Sequence, residues 1–379
     1  MKNFVAYNPT SVYFGKGVVN QLGEVVSKLG LKVLLIYGKG SIKKNGVYND
    51  IQSQLKQINA KVWEYEGIKS NPIVEDVDAA AKMGIENQID VIIAAGGGSV
   101  IDSAKIIAVC IANKSKGWDV MKNKITISGA IPLIGILTLA ATGTEMNPVA
   151  VVQNHETEEK IGFGHPSMFP KHSFLDPQYT ASVPANYTSY GIVDLIAHSL
   201  ENYFGDGDAT LTDRFVGAII QEAIEYGPKL MNDLTNYEYR SKIMWAATNA
   251  LNGVTGNGRV TGDWGVHGLG HVLSLLYDVP HGASLSIIYP AWLKFHLPLI
   301  PERIALLGKY VFNINSPEET ITRFELLFKQ LGSPVRLSEL KIPNINNEEI
   351  IRVWIKNKAQ GAYFKFKPED YTTLLQAFE

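Results

Sequence analysis

The chain is expected to fold as an α/β unit built on a parallel sheet, followed by an all-helical unit. Two observations predict this. In the first half, short apolar runs alternate with helical patterns, the signature of βαβ units. From Tyr187 onward the alternation stops and long patterns of period 3.6 take over. The division is expected in LDPQYTASVPANY, where Pro177 and Pro184 punctuate the chain. The two domains are therefore placed at 1–183 and 184–379.

KVLLIYG (32–38) reads as a strand ending in glycine, NDIQSQLKQI (49–58) as a helix, and AKVWEYEG (60–67) as a strand. VEDVDAAAKMGIENQ (74–88) is helical, IDVIIAAGGG (89–98) is a buried strand running into three glycines, and SVIDSAKIIAVCIAN (99–113) is helical again. Crossovers between such strands are nearly always right-handed. The second half offers YTSYGIVDLIAHSLENYF, LTDRFVGAIIQEAIEYGPKLM, YRSKIMWAATNALNG, GVHGLGHVLSLLY and ETITRFELLFKQLG, all helical.

Composition removes several classes. The chain has 379 residues, 46% of them hydrophobic and 19% charged, which suits a buried core and not a disordered chain. Its net charge of -2 lacks the basic surplus of a nucleic-acid binder. The single cysteine, Cys110, excludes an internal disulfide, a four-cysteine zinc site and a cysteine-held iron–sulfur cluster. ISGAIPLIGILTLAA (127–141), the longest apolar stretch, falls short of the ~18 residues of a membrane span and contains Pro132. No secretory h-region opens the chain, so a cytoplasmic protein without membrane partners is expected.

Two strand-to-helix turns stand out. In AAGGGSVIDSAK, Gly96, Gly97 and Gly98 let backbone approach a ligand closely. Ser99 is expected to cap the following helix, with Asp102 three residues on in a capping-box-like arrangement. The functional reading is a pyrophosphate at the helix N-terminus; the bland one is an ordinary capped helix, for which three glycines are more than needed. The turn does not follow G-x-G-x-x-G. In YGKGSIKKNG, Lys39, Lys43 and Lys44 cluster beside Gly38 and Gly40. An acidic residue here would bind a free ribose 2′-hydroxyl, whereas Lys39 leaves room for a 2′-phosphate and leans toward NADP(H). A solvated lysine loop is the competing reading.

The helical half carries polar residues in apolar surroundings. Asp194 and His198 are four apart in GIVDLIAHSL and share a helical face. A carboxylate there must be paired or hold a cation. His267 and His271 share another face, and His281 follows Pro280 on a turn. Each histidine alone reads most simply as a hydrogen-bonded core residue. Together with Asp194 they suggest a divalent cation such as Fe(II) or Zn(II). Spacing does not decide which of His267, His271 and His281 are ligands, although H-x-x-x-H favours the first two.

With these motifs in this order, the chain resembles the iron-containing (group III) alcohol dehydrogenases, most closely their butanol dehydrogenase and NADPH-dependent aldehyde reductase branch. The resemblance runs from NPTSVYFGKG through GGGSVIDSAK, LTLAATGTEMN and FLDPQYT to GIVDLIAHSLENY and HGLGHVLSLLYDVPHG. It implies the dehydroquinate synthase-like fold of that family: an α/β dinucleotide-binding domain with a parallel sheet, an all-α metal-binding domain, and an active site in the cleft between them. It implies metal ligands at Asp194, His198, His267 and His281, with His271 beside the nicotinamide and substrate, either supporting the ligands from behind or relaying a proton. Cofactor contacts are implied at Gly38, Lys39, Ser41, Gly97, Gly98, Ser99, Asp102, Thr138, Thr142, Asn147, Lys160 and Tyr179, with Asp102 holding a ribose or the phosphate turn. The family's T-x-x-G-T-G-S-E segment appears here as TLAATGTE, and Lys39 stands where NAD-preferring relatives carry aspartate.

The activity implied is hydride transfer between NADP(H), with NAD(H) left open, and a short- or medium-chain primary alcohol or aldehyde. The metal would act as a Lewis acid toward the substrate oxygen. A homodimer is the default assembly. Dehydroquinate synthase-like lyases share the domain plan but need a basic pocket, whereas LIAHSL and VLSLLY are apolar. A glycerol dehydrogenase-like zinc enzyme is the nearer alternative. A non-catalytic two-domain binding protein would need no Asp/His cluster.

Overall fold

The computed structural model describes residues 1–378. The chain divides into two compact units. One comprises Asn8–Val183 with Thr235–Met244. The other comprises Met1–Tyr7, Pro184–Leu234 and Trp245 onward.

The first unit runs β1 (Ser11–Phe14), α1 (Leu22–Ser27), β2 (Lys32–Tyr37), α2 (Ser41–Lys44), α3 (Val47–Gln57), β3 (Lys61–Glu66), α4 (Val74–Asn87), β4 (Val91–Gly96), α5 (Gly98–Asn113), α6 (Gly117–Met121) and β5 (Leu133–Leu137). A hairpin of β6 (Val149–Asn154) and β7 (Glu159–Gly164) follows, then β8 (His172–Leu175). Six strands form one parallel sheet in the order β1-β8-β5-β4-β2-β3.

Both faces of this sheet are covered, which is why its central strands read as continuous apolar runs. Val33, Leu35 and Tyr37 of β2 face a core shared with Val47, Ile51 and Leu55 of α3. Leu34 and Ile36 face the opposite core, with α4 and α5. The apolar stretch around Pro132 is the buried strand β5 and its flanks. Sequence periodicity did not single out β1, β6, β7 or β8.

Strand order fixes where a ligand can sit. From β2 the chain moves to β3 on one side, and from β4 it moves to β5 on the other. Neighbours β2 and β4 therefore form a topological switch point, and the crevice beyond their carboxyl ends is the expected ligand site of an open α/β sheet. Tyr37 pairs with Ala95, and Gly96 with Leu137, so Gly38, Gly97 and Thr138 leave the sheet at the same edge.

The second unit contains α7 (Ala185–Tyr203), α8 (Thr210–Asn232), α10 (Gly265–Tyr277), α11 (His281–His296), α12 (Pro301–Phe312), α13 (Pro317–Gln330), α14 (Asn347–Lys356) and α15 (Pro368–Gln376). The units part within α9 (Tyr237–Ala250). α11 packs on both α7 and α10. A Cβ added to Gly282 would come within 2.1 Å of the Tyr190 carbonyl oxygen, so only glycine lets the first turn of α11 lie this close to α7. Among the described residues no helix is long and apolar enough to cross a membrane.

Candidate metal and dinucleotide sites

Asp194 sits mid-way along α7, its side chain 3% exposed. Three imidazole nitrogens surround its Oδ1: His198 Nε2 at 3.6 Å, His267 Nε2 at 3.7 Å and His281 Nε2 at 3.7 Å. These separations are too long for hydrogen bonds. They match the ~3.4 Å that donors keep from one another in a tetrahedron with bonds of ~2.1 Å. Asp194 Oδ1 and His267 Nε2 are buried without a hydrogen-bond partner, a costly arrangement unless a cation lies between them. The donor atoms of Asp194, His267 and His281 all lie within 4.8 Å of one another. Asp194, His267 and His281 fit a divalent ion with imidazole and carboxylate ligands, whereas His198 lies outside that mutual set and meets it through Asp194 at 3.6 Å.

Each of these four residues has a local reason for its place. Asp194 and His198 are one helical turn apart on α7, as their spacing predicts. His281 is the first residue of α11, seated by Pro280 and the close approach at Gly282. The H-x-x-x-H spacing suggested His267 with His271, but the geometry pairs His267 with His281. His271 stands beside the cluster, its ring centroid 5.3 Å from His281 and 6.4 Å from His267. The His281 side chain is 24% exposed against 3–8% for the other three, so the cluster opens to solvent on the side where His281 and His271 lie.

Sequence reasoning missed Glu201. Its Oε1 accepts from both His267 Nδ1 at 2.8 Å and the His267 amide at 2.9 Å. An ionised carboxylate only accepts, so Nδ1 carries a proton, and Nε2 on the Asp194 side is the nitrogen left to offer a lone pair to a cation. Burial opposes a charged His267, but the Asp194 and Glu201 carboxylates outweigh it and raise its pKa to about 9. The pocket therefore favours positive charge. The signal was available: Asp194, His198 and Glu201 follow i, i+4, i+7 on one helix face.

In the other unit, α5 begins at Gly98 with Gly97 as its N-cap. This corrects the expected cap. Ser99 Oγ instead donates to the Ser70 carbonyl in the loop after β3. Nor is Asp102 part of a capping box. Its Oδ1 accepts from Thr144 Oγ1 at 2.5 Å and its Oδ2 from the Val151 amide at 2.9 Å. The first amides of α5, Gly98 and Ser99, have no intrahelical acceptor. A Cβ on Gly98 would stand 2.6 Å from Thr142 Cγ2, so glycine is needed for the 142 segment to close on the turn.

The other expected cofactor residues fall into three groups. Gly38, Lys39 and Ser41 follow β2, with Lys39 and Ser41 exposed, and Lys43 pairs with Glu66 at 2.8 Å. Thr138 and Thr142 follow β5 at the same edge, beside the glycine turn. Asn147, Lys160 and Tyr179 are buried and already bonded: Asn147 Oδ1 to Lys105 at 3.0 Å, Lys160 Nζ to Asn71 at 2.8 Å, and the Tyr179 hydroxyl to Asp50 at 2.8 Å. Lys105, which sequence reasoning passed over, is wholly buried on α5 and donates to Thr144 Oγ1, Asn147 Oδ1 and the Val149 carbonyl. Together with Asp102 it ties the 144–151 segment to the helix that starts at the glycine turn.

Known proteins carry the same plan. The profile of iron-containing alcohol dehydrogenases matches residues 9–177, and that of the Fe-containing alcohol dehydrogenase family C-terminal region matches residues 188–378. The chain is 39% identical over 389 residues to the probable NADH-dependent butanol dehydrogenase 1 of Bacillus subtilis, covering 100% of each. It is 36% identical over 350 residues to the NADPH-dependent aldehyde reductase YqhD of Escherichia coli, covering 89% of each. The crystal structure of NADH-dependent butanol dehydrogenase A from Thermotoga maritima superposes with a TM-score of 0.95 at 35% identity, covering 100% of this chain and 99% of that one. This bears out the expected fold class, a parallel-sheet α/β domain with a helical domain. By sequence and structure, the chain belongs to the iron-containing alcohol dehydrogenase family.

Proposed function

We propose that the chain interconverts short- or medium-chain primary alcohols and aldehydes, using NADP(H) or NAD(H) and one divalent ion, Fe(II) or Zn(II). The observation that carries this reading is Asp194 Oδ1, buried on α7, with three imidazole nitrogens at 3.6–3.7 Å. Relatives named as NADH-dependent butanol dehydrogenases and as an NADPH-dependent aldehyde reductase support the substrate class and both cofactors.

Asp194, His198, His267 and His281 would hold the ion, which when bound supplies Lewis-acid stabilisation of negative charge on the substrate oxygen. One carboxylate and three neutral imidazoles leave about one positive charge there. His271, on the exposed side of the cluster, is placed to move the alcohol proton toward solvent. Nicotinamide supplies the hydride chemistry. The Gly98 and Ser99 amides at the start of α5 would bind pyrophosphate. Lys39, exposed after β2, would face the adenosine ribose and favour a 2′-phosphate, with Gly38 and Ser41 lining the same turn. Thr138 and Thr142 would line the crevice. Asp102, Asn147, Lys160 and Tyr179 contribute by fixing the surrounding loops. We further place the enzyme in the cytoplasm as a homodimer.

The test follows the near-ultraviolet absorbance of NADPH with butanal. Steady loss that stops on chelation and returns with Fe(II) or Zn(II) supports the proposal. A flat trace with the metal-loaded protein would sink it.

A further inference from the structure

Behind Asp194, His198, His267 and His281 lie two more buried carboxylates, Glu201 and Asp263. Glu201 is 1% exposed and spends one oxygen on two donors of a single residue, the ring Nδ1 and the backbone amide of His267. That bidentate grip fixes both where α10 sits and how the imidazole is turned. Asp263 is fully buried next to it. The Asp263 amide donates to the Glu201 carbonyl at 2.9 Å. Its carboxylate accepts from the Gly265 amide at the start of α10, at 3.2 Å, and from the Tyr363 and Phe364 amides at 3.1 and 2.7 Å. Between Asp263 and Gly265, Trp264 takes a left-handed backbone conformation, φ 65°, and lays its indole 5.5 Å from the His267 ring. α7, the turn before α10 and the 363–364 segment are thus joined by carboxylates to one imidazole.

We infer that Glu201 is a positioning residue for the metal centre: it holds His267 as the Nδ1–H tautomer with Nε2 aimed at Asp194, and Asp263 anchors the turn that makes this possible. The inference rests on the metal reading above. A free imidazole populates both tautomers and rotates about its side-chain bonds. A carboxylate at 2.8 Å removes both freedoms and makes Nε2 a stronger donor. Glu201 is not a ligand itself, since its hydrogen-bonded oxygen turns toward the opposite edge of the ring from Asp194.

The experiment measures zinc(II) affinity by competition with a chromophoric chelator in the full-length protein, for wild type, Glu201→Gln and Glu201→Ala. Histidine ring nitrogen shifts of the zinc-loaded protein are recorded alongside. Loss of such a partner ordinarily weakens metal binding by about 10–100-fold. Glu201→Ala is expected to fall in that range. Glu201→Gln keeps an oxygen acceptor of the same shape, so it is expected to retain the fold and the Nδ1–H tautomer and to recover much of the affinity. If Glu201→Ala does not fold, Glu201→Gln and the wild-type ring shifts decide the matter. Zinc affinity in Glu201→Ala within twofold of wild type, or a His267 that ligates through Nδ1, would overturn the inference while leaving the metal site standing. Wild-type protein that binds no zinc would remove the underlying reading as well.

Discussion

Replacing Lys105 by methionine should change how stability depends on pH, with a predictable sign. The ammonium is enclosed by α5 and the 144–149 segment, donating at 2.6 Å to Thr144 Oγ1, 3.0 Å to Asn147 Oδ1 and 2.6 Å to the Val149 carbonyl. Burial disfavours its charge, and the carboxylates of Asp102 and Glu145 only partly restore it, so the pKa falls from 10.5 to about 8. The unfolded chain keeps this proton up to about 10.5, while the folded chain releases it near 8. Between those values the unfolded state binds more protons, and stability therefore rises with pH. The interval is a factor of roughly 300 in proton affinity, or ~3 kcal/mol. The assay is urea unfolding of the sheet unit at pH 7.5 and pH 10.5, in wild type and Lys105→Met. Other titrating groups cancel in the comparison, so wild type should gain ~3 kcal/mol relative to the variant on going to the higher pH. An equal difference at both pH values would refute the account of Lys105 as a charge held against its own desolvation.

Two further substitutions probe the dinucleotide site. Gly98→Ala puts a methyl group 2.6 Å from Thr142 Cγ2, so the segment must shift away from the first turn of α5. The KM for NADPH should rise at least ~10-fold while bound metal stays stoichiometric; an unchanged KM would show that this turn does not contact the cofactor. Lys39→Asp places a carboxylate after β2, where it repels a 2′-phosphate and can accept from a free 2′-hydroxyl. The ratio of kcat/KM for NADPH over NADH should fall by an order of magnitude or more, and a constant ratio would remove Lys39 from cofactor selection.

Much of this was readable in the sequence because the relevant constraints are local. Strand–helix alternation marks a sheet covered on both faces, and Asp194 with His198 needs only helical periodicity. His281 was identifiable through family resemblance but not through spacing. What brings it to Asp194 is the packing of α11 on α7 through Gly282, a contact across 92 residues of chain separation from Tyr190. Glu201 was legible in principle, sharing a helix face with Asp194 and His198. Asp263 was not, since its role depends on amides 100 and 101 residues downstream. The Ser99 cap failed for a related reason: a carbonyl 29 residues upstream, at Ser70, takes the hydroxyl.

The proposed chemistry needs one cation among Asp194, His198, His267 and His281. X-ray absorption at the metal edge, on protein purified without oxygen or added metal, tests it most directly. One ion per chain is expected, with imidazole nitrogen and carboxylate oxygen donors at ~2.0–2.2 Å, and loss of that ion in Asp194→Ala. Fully active wild-type protein free of metal, or an Asp194→Ala variant that keeps stoichiometric metal with the same donors, would contradict it.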